Sequence, residues 1–408
     1  MMKTKQNKQN KPGRGKKHKP EIPEEDLELI EERENFEDMY EEAEEADSEV
    51  EKRDLSDEEG FKEEEEEIQP SKSRLVDVAH MNVDMAEVNL RVQGIIDVLS
   101  DFKAKKEEDK SRTDYLTELK QLLMLYYDYN EDIMSLILYL FPPNEAVEFL
   151  ESNNQQRVMT IRANSIKTKR RELAKALIQR GVNLDPLAEW SKVGLKIIDS
   201  QVPIGATPEY LSGHYMLQSG SSFLPVLALN PLEDEKVLDM SAAPGGKTTY
   251  LAQMMKNTGV LVANDLKKER LKSLFFNVQR LGIKNCIITN YDGRKIGKAF
   301  SNFDRVLLDA PCSGLGVISK DQSIKLNRTY KEIIENSRVQ KELLLSAIDC
   351  CSHKSKNGGV IVYSTCSIAV EENEWVVDYA LKNRFVKLVE TGEYYFNIRT
   401  ADWRGRLD

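Results

Sequence analysis

KVLDMSAAPGGKTTYLAQMMKNTGVLVANDLKKER, residues 236–270, reads as a strand, a glycine-opened helix and a second strand ending in Asn264-Asp265. Lys236–Met240 and Val260–Asn264 are short apolar runs rich in β-branched residues, and Lys247–Lys256 between them has helical character. The same alternation continues downstream. A helix is expected over Lys267–Gly282, strands at Cys286–Thr289 and Arg305–Leu308, and a long helix over Lys331–His353. A strand at Val360–Tyr363 and a helix at Val370–Lys382 follow. Repeated strand–helix units predict an α/β fold, a mostly parallel Rossmann-like sheet with helices on both faces. Ligands of such sheets bind beyond the carboxyl ends of the strands, so those ends hold the chemistry.

Upstream the pattern changes. Residues 71–150 read as a helical subdomain, in which Leu116, Leu119, Leu122, Leu123 and Tyr126 recur at three- and four-residue steps. Residues 151–205 read as a small mixed α/β extension: RVMTIRANS (Arg157–Ser165) alternates like a strand, and Lys167–Gly181 reads as a helix. Lys167, Lys169, Arg170, Arg171 and Lys175 crowd the start of that helix, where cations oppose its dipole. That placement suits an RNA-phosphate patch, although such a cluster can also be an ordinary solvated face. Residues 206–390 then form the catalytic α/β domain, and 391–408 a divergent tail.

Charge is distributed unevenly. The first 20 residues carry eight Lys or Arg and no acid, whereas residues 21–67 carry a net charge of −22. Removing both blocks from the total of −11 leaves +3 for residues 68–408, so the acidic balance belongs to a tail and does not exclude an RNA partner. Residues 1–70 cannot bury enough apolar surface to offset their ordering entropy and are expected to be a disordered tail. Its basic head suits a nuclear or nucleolar address. Five cysteines without a CxxC pair, and four His, exclude a disulfide framework and argue against a zinc site, so no metal is expected. The longest apolar run, Ile133–Phe141, is too short to span a membrane, and none is expected as a partner.

The strand ends can be read in turn. After the first strand, Gly245-Gly246 opens a helix and lets backbone approach a ligand closely. GGKTT is not a phosphate-binding P-loop, because that motif needs a Gly five residues before Gly246, where this chain has Ser241. Asp265, 19 residues past Gly246, stands where an acid accepts ribose hydroxyls. Asp292 ends the third strand, Asp309-Ala-Pro-Cys312 the fourth and Ser364-Thr-Cys366 the fifth. By position alone Cys312 and Cys366 are equal candidates for a nucleophile, whereas Cys286, Cys350 and Cys351 read as buried small hydrophobes.

SAAPGGKTT, DAPCSG and STCSI, in this order and spacing, resemble the Nop/Sun family of RNA cytosine-5 methyltransferases. Val202–Leu229, WSKVGL (Trp190–Leu195) and Val370–Lys382 are closer still to its nucleolar ribosome-assembly subfamily, the proliferation-associated nucleolar antigens. The resemblance covers about residues 75–390. It implies methylation of a large-subunit rRNA cytosine at carbon 5, with S-adenosyl-L-methionine as cofactor, by a monomer on pre-ribosomal particles in the nucleolus. Cys366 matches the family nucleophile, Cys312 the cysteine needed for product release, and Asp309 the acid that protonates the ring, which would require a raised pKa or close ring contact. Cofactor contacts carry over to Ser241, Ala242, Ala243, Pro244, Gly245, Gly246, Lys247, Asp265, Arg270, Asp292 and Asp309; Ser241 stands where the family commonly has Cys. RNA contacts carry over to Arg162, Asn164, Lys167, Lys169, Arg170 and Arg171. The match breaks after Val389, where the family continues into a final antiparallel strand pair and this chain reads TGEYYFNIRTADWRGRLD. A missing edge strand would leave this form poorly stable or inactive. The competing reading is an RNA-binding ribosome-assembly scaffold with weak or no catalysis.

Overall fold

The computed structural model of the chain describes residues 84–390, apart from positions 108 and 357. The charged tail of 1–70 and the divergent segment 391–408, with the edge strand expected to be missing there, lie outside the described residues.

Helices α1 (Met85–Ser100), α2 (Arg112–Tyr127), α3 (Glu131–Leu140) and α4 (Pro143–Asn154) come first. Side chains start three of them: Asp84 caps α1, a Ser111/Asp114 capping box opens α2, and Asn130 caps α3. The buried stripe of α2 is Tyr115, Leu119, Leu123 and Tyr127, strict four-residue steps. Leu116, Leu122 and Tyr126, expected on that stripe, flank it half-buried, because Tyr115 and Tyr127 extend the stripe at its two ends along the Leu119–Leu123 line. These helices share one core with Leu315, Ile318, Ile324, Ile333 and Ala369, which belong to the segments after the two site cysteines. The buried Lys325 ammonium strengthens that seam by donating to Tyr127 O (3.2 Å) and Asn154 Oδ1 (2.7 Å).

The next layer is a four-stranded antiparallel sheet of order β2-β3-β1-β4: β1 (Met159–Ala163), β2 (Val182–Pro186), β3 (Gly194–Ser200) and β4 (Tyr215–Leu217). Helix α5 (Arg170–Gln179) covers one face, burying Leu173 and Leu177 against Ile161, Ala163, Leu195 and Ile197.

Helix α6 (Leu224–Leu229) leads into the parallel sheet, β5 (Lys236–Asp239), β6 (Val260–Asn264), β7 (Cys286–Thr289), β8 (Arg305–Asp309) and β9 (Val360–Ser364), in the order β7-β6-β5-β8-β9. All four pairings are parallel. Connecting helices α7 (Gly246–Met254), α8 (Leu271–Arg280), α9 (Tyr330–Cys350) and α10 (Glu374–Asn383) sandwich it. Strand residues alternate between the two layers, as a period of two requires. Val237, Leu261 and Leu307 pack with α6 and α7, while Leu238, Val262, Val306 and Leu308 pack with α9 and α10. This is the expected α/β Rossmann-like arrangement. Among the described residues no helix is long and apolar enough to cross a membrane, and no His, Cys, Asp and Glu cluster could hold a metal.

Candidate active site

The loop after β5 is held from every side. Ala242 N donates to Asn264 O (2.7 Å) and Ala243 N to Asp265 Oδ2 (3.1 Å). Arg270 donates to Ala243 O (2.6 Å) and Asn277 to Pro244 O (2.9 Å). Gly245 has φ +101°, and a Cβ there would stand 2.9 Å from Leu274 Cδ1, so only glycine makes this bend against α8. The result is a preset cradle at the helix start, flanked by Asp265, whose side chain is 2% exposed, and by the exposed apolar Leu266. A carboxylate beside an apolar surface and a tight glycine bend suits a nucleoside with a polar tail. Asp292, expected at an adenine amino group, lies three residues past β7 with its carboxylate bonded to Arg294 at 2.9 Å, which holds its pKa below the usual carboxylate range.

The reactive groups cluster at the ends of β8 and β9. Asp309 and Ser364 are register partners in adjacent parallel strands, so the loops leaving them run side by side. Cys312 and Cys366 therefore meet, with their sulfurs 3.2 Å apart. Gly316 N donates to Cys366 O at 2.7 Å, and a Cβ on Gly316 would lie 2.8 Å from that oxygen. Cys366 is exposed and Cys312 half-buried. The hydrogen bond from Cys312 lowers the Cys366 pKa, with the Lys247 ammonium acting in the same direction and burial and the Asp309 carboxylate opposing it. Cys312 moves up, because Cys366 takes its hydrogen bond and because it is buried.

Lys247 donates to Asp309 Oδ2 at 2.5 Å, and Ser364 Oγ donates to Asp309 Oδ1 at 2.8 Å. Lys247, expected only to wrap a cofactor, thus ties the glycine loop to the cysteine rim. Beneath them lies Asp239, which sequence reasoning passed over as a strand residue. It accepts from Thr248 Oγ1 at 2.7 Å, and burial, with the charge of Asp309, pushes its pKa up to about 7. A raised folded-state pKa stabilises below the unfolded value of 3.8, and that stability is lost as pH rises through about 7. Between pH 5 and 8 the native chain should therefore lose ~2 kcal/mol more than Asp239→Asn, read by urea unfolding. Parallel pH curves for the two proteins would contradict this.

Arg162 and Asn164, expected on an RNA face, are buried instead. Strand β1 is covered on both faces, by α5 and by the parallel-sheet layer, so its polar residues become interdomain braces. Arg162, 0% exposed, donates to Gly246 O (2.5 Å), Thr249 Oγ1 (2.8 Å) and Gln218, and stacks 4.7 Å from the Tyr250 ring. Burial lowers its pKa to about 9. Asn164 donates to Gly213 O and Leu281 O. Lys167 spends its ammonium on Ser212 O and Arg280 O, and Arg170 donates to Ser191 O. Lys169 and Arg171 remain solvent-exposed. Replacing Arg162 by Met removes its bonds to Gly246 O, Thr249 Oγ1 and Gln218 and should cost ~3 kcal/mol, measured by urea unfolding. A loss below ~1 kcal/mol would refute the brace.

Comparison with known proteins agrees with this architecture. A family model described as 16S rRNA methyltransferase RsmB/F matches residues 226–401, and one for an RsmF/B-like ferredoxin-like domain matches 137–204. A human protein, 28S rRNA (cytosine(4447)-C(5))-methyltransferase (Homo sapiens), is 60% identical over 309 residues, 76% of this chain and 38% of its own length. A Schizosaccharomyces pombe protein, 25S rRNA (cytosine-C(5))-methyltransferase nop2, is 55% identical over 311 residues, 76% of this chain and 51% of its own length. The chain thus spans about half or less of these relatives. A crystal structure of a methyltransferase homolog protein from Pyrococcus horikoshii aligns with TM-score 0.57 and 35% identity, covering 64% of this chain and 81% of that one.

Proposed function

Since the chain belongs to the RsmB/F family of methyltransferases, we propose that it methylates carbon 5 of a cytosine in large-subunit ribosomal RNA. The observation that carries this reading is the pair of cysteines, 3.2 Å apart and beside the Lys247–Asp309 ion pair, at the carboxyl end of the sheet. The cradle of Ser241–Lys247 with Asp265, Arg270 and Asp292 is assigned to S-adenosyl-L-methionine, which when bound supplies an electrophilic methyl group. Cys366, exposed and biased towards thiolate, adds to carbon 6 of the cytosine and raises the electron density at carbon 5. Ring nitrogen 3 then takes up a proton. Asp309, one hydrogen bond from the Lys247 ammonium, is assigned to deliver it, the proton passing from the ammonium through the carboxyl. After methyl transfer a base takes the carbon 5 proton, the carbon 5–carbon 6 double bond re-forms, Cys366 leaves as thiolate and ring nitrogen 3 returns its proton to the Asp309–Lys247 pair, with Cys312 needed for the departure of Cys366.

The 28S and 25S substrates in the relatives' names support a large-subunit rRNA substrate. Together with the basic head, they support action on pre-ribosomal particles in the nucleolus. Exposed Lys169 and Arg171 are assigned to phosphate contacts, and the target base must leave its stack to reach Cys366. The test is bisulfite mapping of large-subunit RNA from cells carrying Cys366→Ala as their only copy. One cytosine should change from protected to converted. If every protected cytosine stays protected, this function is refuted.

A further inference from the structure

Glu372 is a buried carboxylate that the chemistry above does not use. It closes the turn Val370–Glu372 after the Cys366 loop and is 0% exposed. All its donors are neutral. Ser313 N donates to Oε1 at 2.8 Å, Ser313 Oγ to Oε2 at 2.5 Å, and Gln340 Nε2 to Oε1 at 3.2 Å. The same Gln340 amide donates to Pro311 O (2.7 Å), and Tyr363 OH donates to Glu372 O (2.6 Å). Pro311 and Ser313 bracket Cys312, so Glu372 holds the Cys312 loop directly at Ser313 and, through Gln340, at Pro311, while its backbone is anchored to β9. Ser313 Oγ and Ser367 Oγ, 3.1 Å apart, complete the tie between the loops.

Burying a carboxylate without a cation is costly, and a neutral amide could make the same contacts at lower cost. The negative charge therefore calls for a reason. We propose that Glu372 is a positioning residue for the two-cysteine step: it fixes the Cys312 loop against Cys366, and its charge disfavours loss of the last proton held between the two sulfurs. The charged and titratable groups acting on the pair are Asp309, Lys247, Tyr363 and Glu372, and a second cation, Arg328, donates to the neighbouring Ser313 O at 3.1 Å. Glu372 pushes both thiols towards their protonated forms. With one thiolate already on Cys366, the second ionisation is opposed by two negative neighbours, so Cys312 keeps its proton.

This inference rests on the assignment of Cys366 and Cys312 above, and the experiment separates the two. In the whole protein without RNA, Glu372→Gln retains an acceptor oxygen and removes the charge. Its pH profile of iodoacetamide labelling, read at each cysteine by mass spectrometry, should move to lower pH, with labelling at pH 7 about threefold to tenfold faster. Glu372→Ala also loses the tie and should accumulate covalent protein–RNA adduct severalfold over the native chain on a denaturing gel. Cys312→Ala is the control: if it accumulates no adduct, the assignment of the cysteines has failed. If it does accumulate adduct, superimposable labelling profiles for Glu372→Gln and native chain overturn the charge role. A folded Glu372→Ala that turns over slowly without extra adduct overturns the positioning role.

Discussion

Cys366→Ala is expected to abolish methyl transfer, by at least about 10³-fold, and to form no covalent RNA adduct, whereas Cys312→Ala is expected to accumulate that adduct. Position alone does not separate the two cysteines, since each follows one of two paired parallel strands by two or three residues. The geometry separates them in two ways. Cys366 is exposed while Cys312 is half-buried. The hydrogen bond between sulfurs 3.2 Å apart lowers the Cys366 pKa, and Lys247 adds to this against burial and the Asp309 carboxylate, while Cys312 moves up. The thiolate is the nucleophile, so addition belongs to Cys366. Removing Cys312 leaves addition and methyl transfer possible but takes away the group nearest the leaving sulfur. A denaturing gel of protein incubated with RNA and S-adenosylmethionine reads both outcomes. Adduct in Cys366→Ala and none in Cys312→Ala would exchange the roles.

The second large effect concerns Lys247 and Asp309. If a proton reaches ring nitrogen 3 through this ion pair, Asp309→Asn and Lys247→Met should each lower kcat by about 10²–10⁴. The two groups share one hydrogen bond of 2.5 Å, so their losses should not add. The double variant should be no more than a few-fold worse than the poorer single one. Asp309→Asn should change S-adenosylmethionine binding little, measured by calorimetry, because the cradle loop is held separately by Asp265, Arg270 and Asn277. Additive losses, or a loss confined to cofactor KM, would remove the proton-relay role.

How far this site could be read beforehand depended on the kind of contact. Strand–helix alternation and strand ends are local, so the parallel sheet and the residues on its rim could be read along the chain. Asp265, the glycine loop and both cysteines follow from that placement. Contacts between distant segments could not. Arg162 sits in a strand that alternates, and alternation implies one wet face; here the second face is covered by another domain, and a cation became a brace. Lys167 looked like a phosphate ligand, but its ammonium reaches two carbonyls from segments 45 and 113 residues away. The face of α2 was misjudged by about one residue because Tyr115 and Tyr127 hold buried positions that leucine periodicity alone did not mark. Glu372 lies among acids in VEENE, with nothing local to distinguish the one that turns inward.

The central claim is that this chain's own residues direct a methyl group to cytosine carbon 5. The most direct measurement incubates the protein with large-subunit rRNA and methyl-tritiated S-adenosylmethionine, then digests the RNA to nucleosides and separates them. The account predicts label in 5-methylcytidine and none in the Cys366→Ala reaction. Label in any other nucleoside, or no label while RNA binding is retained, would contradict it.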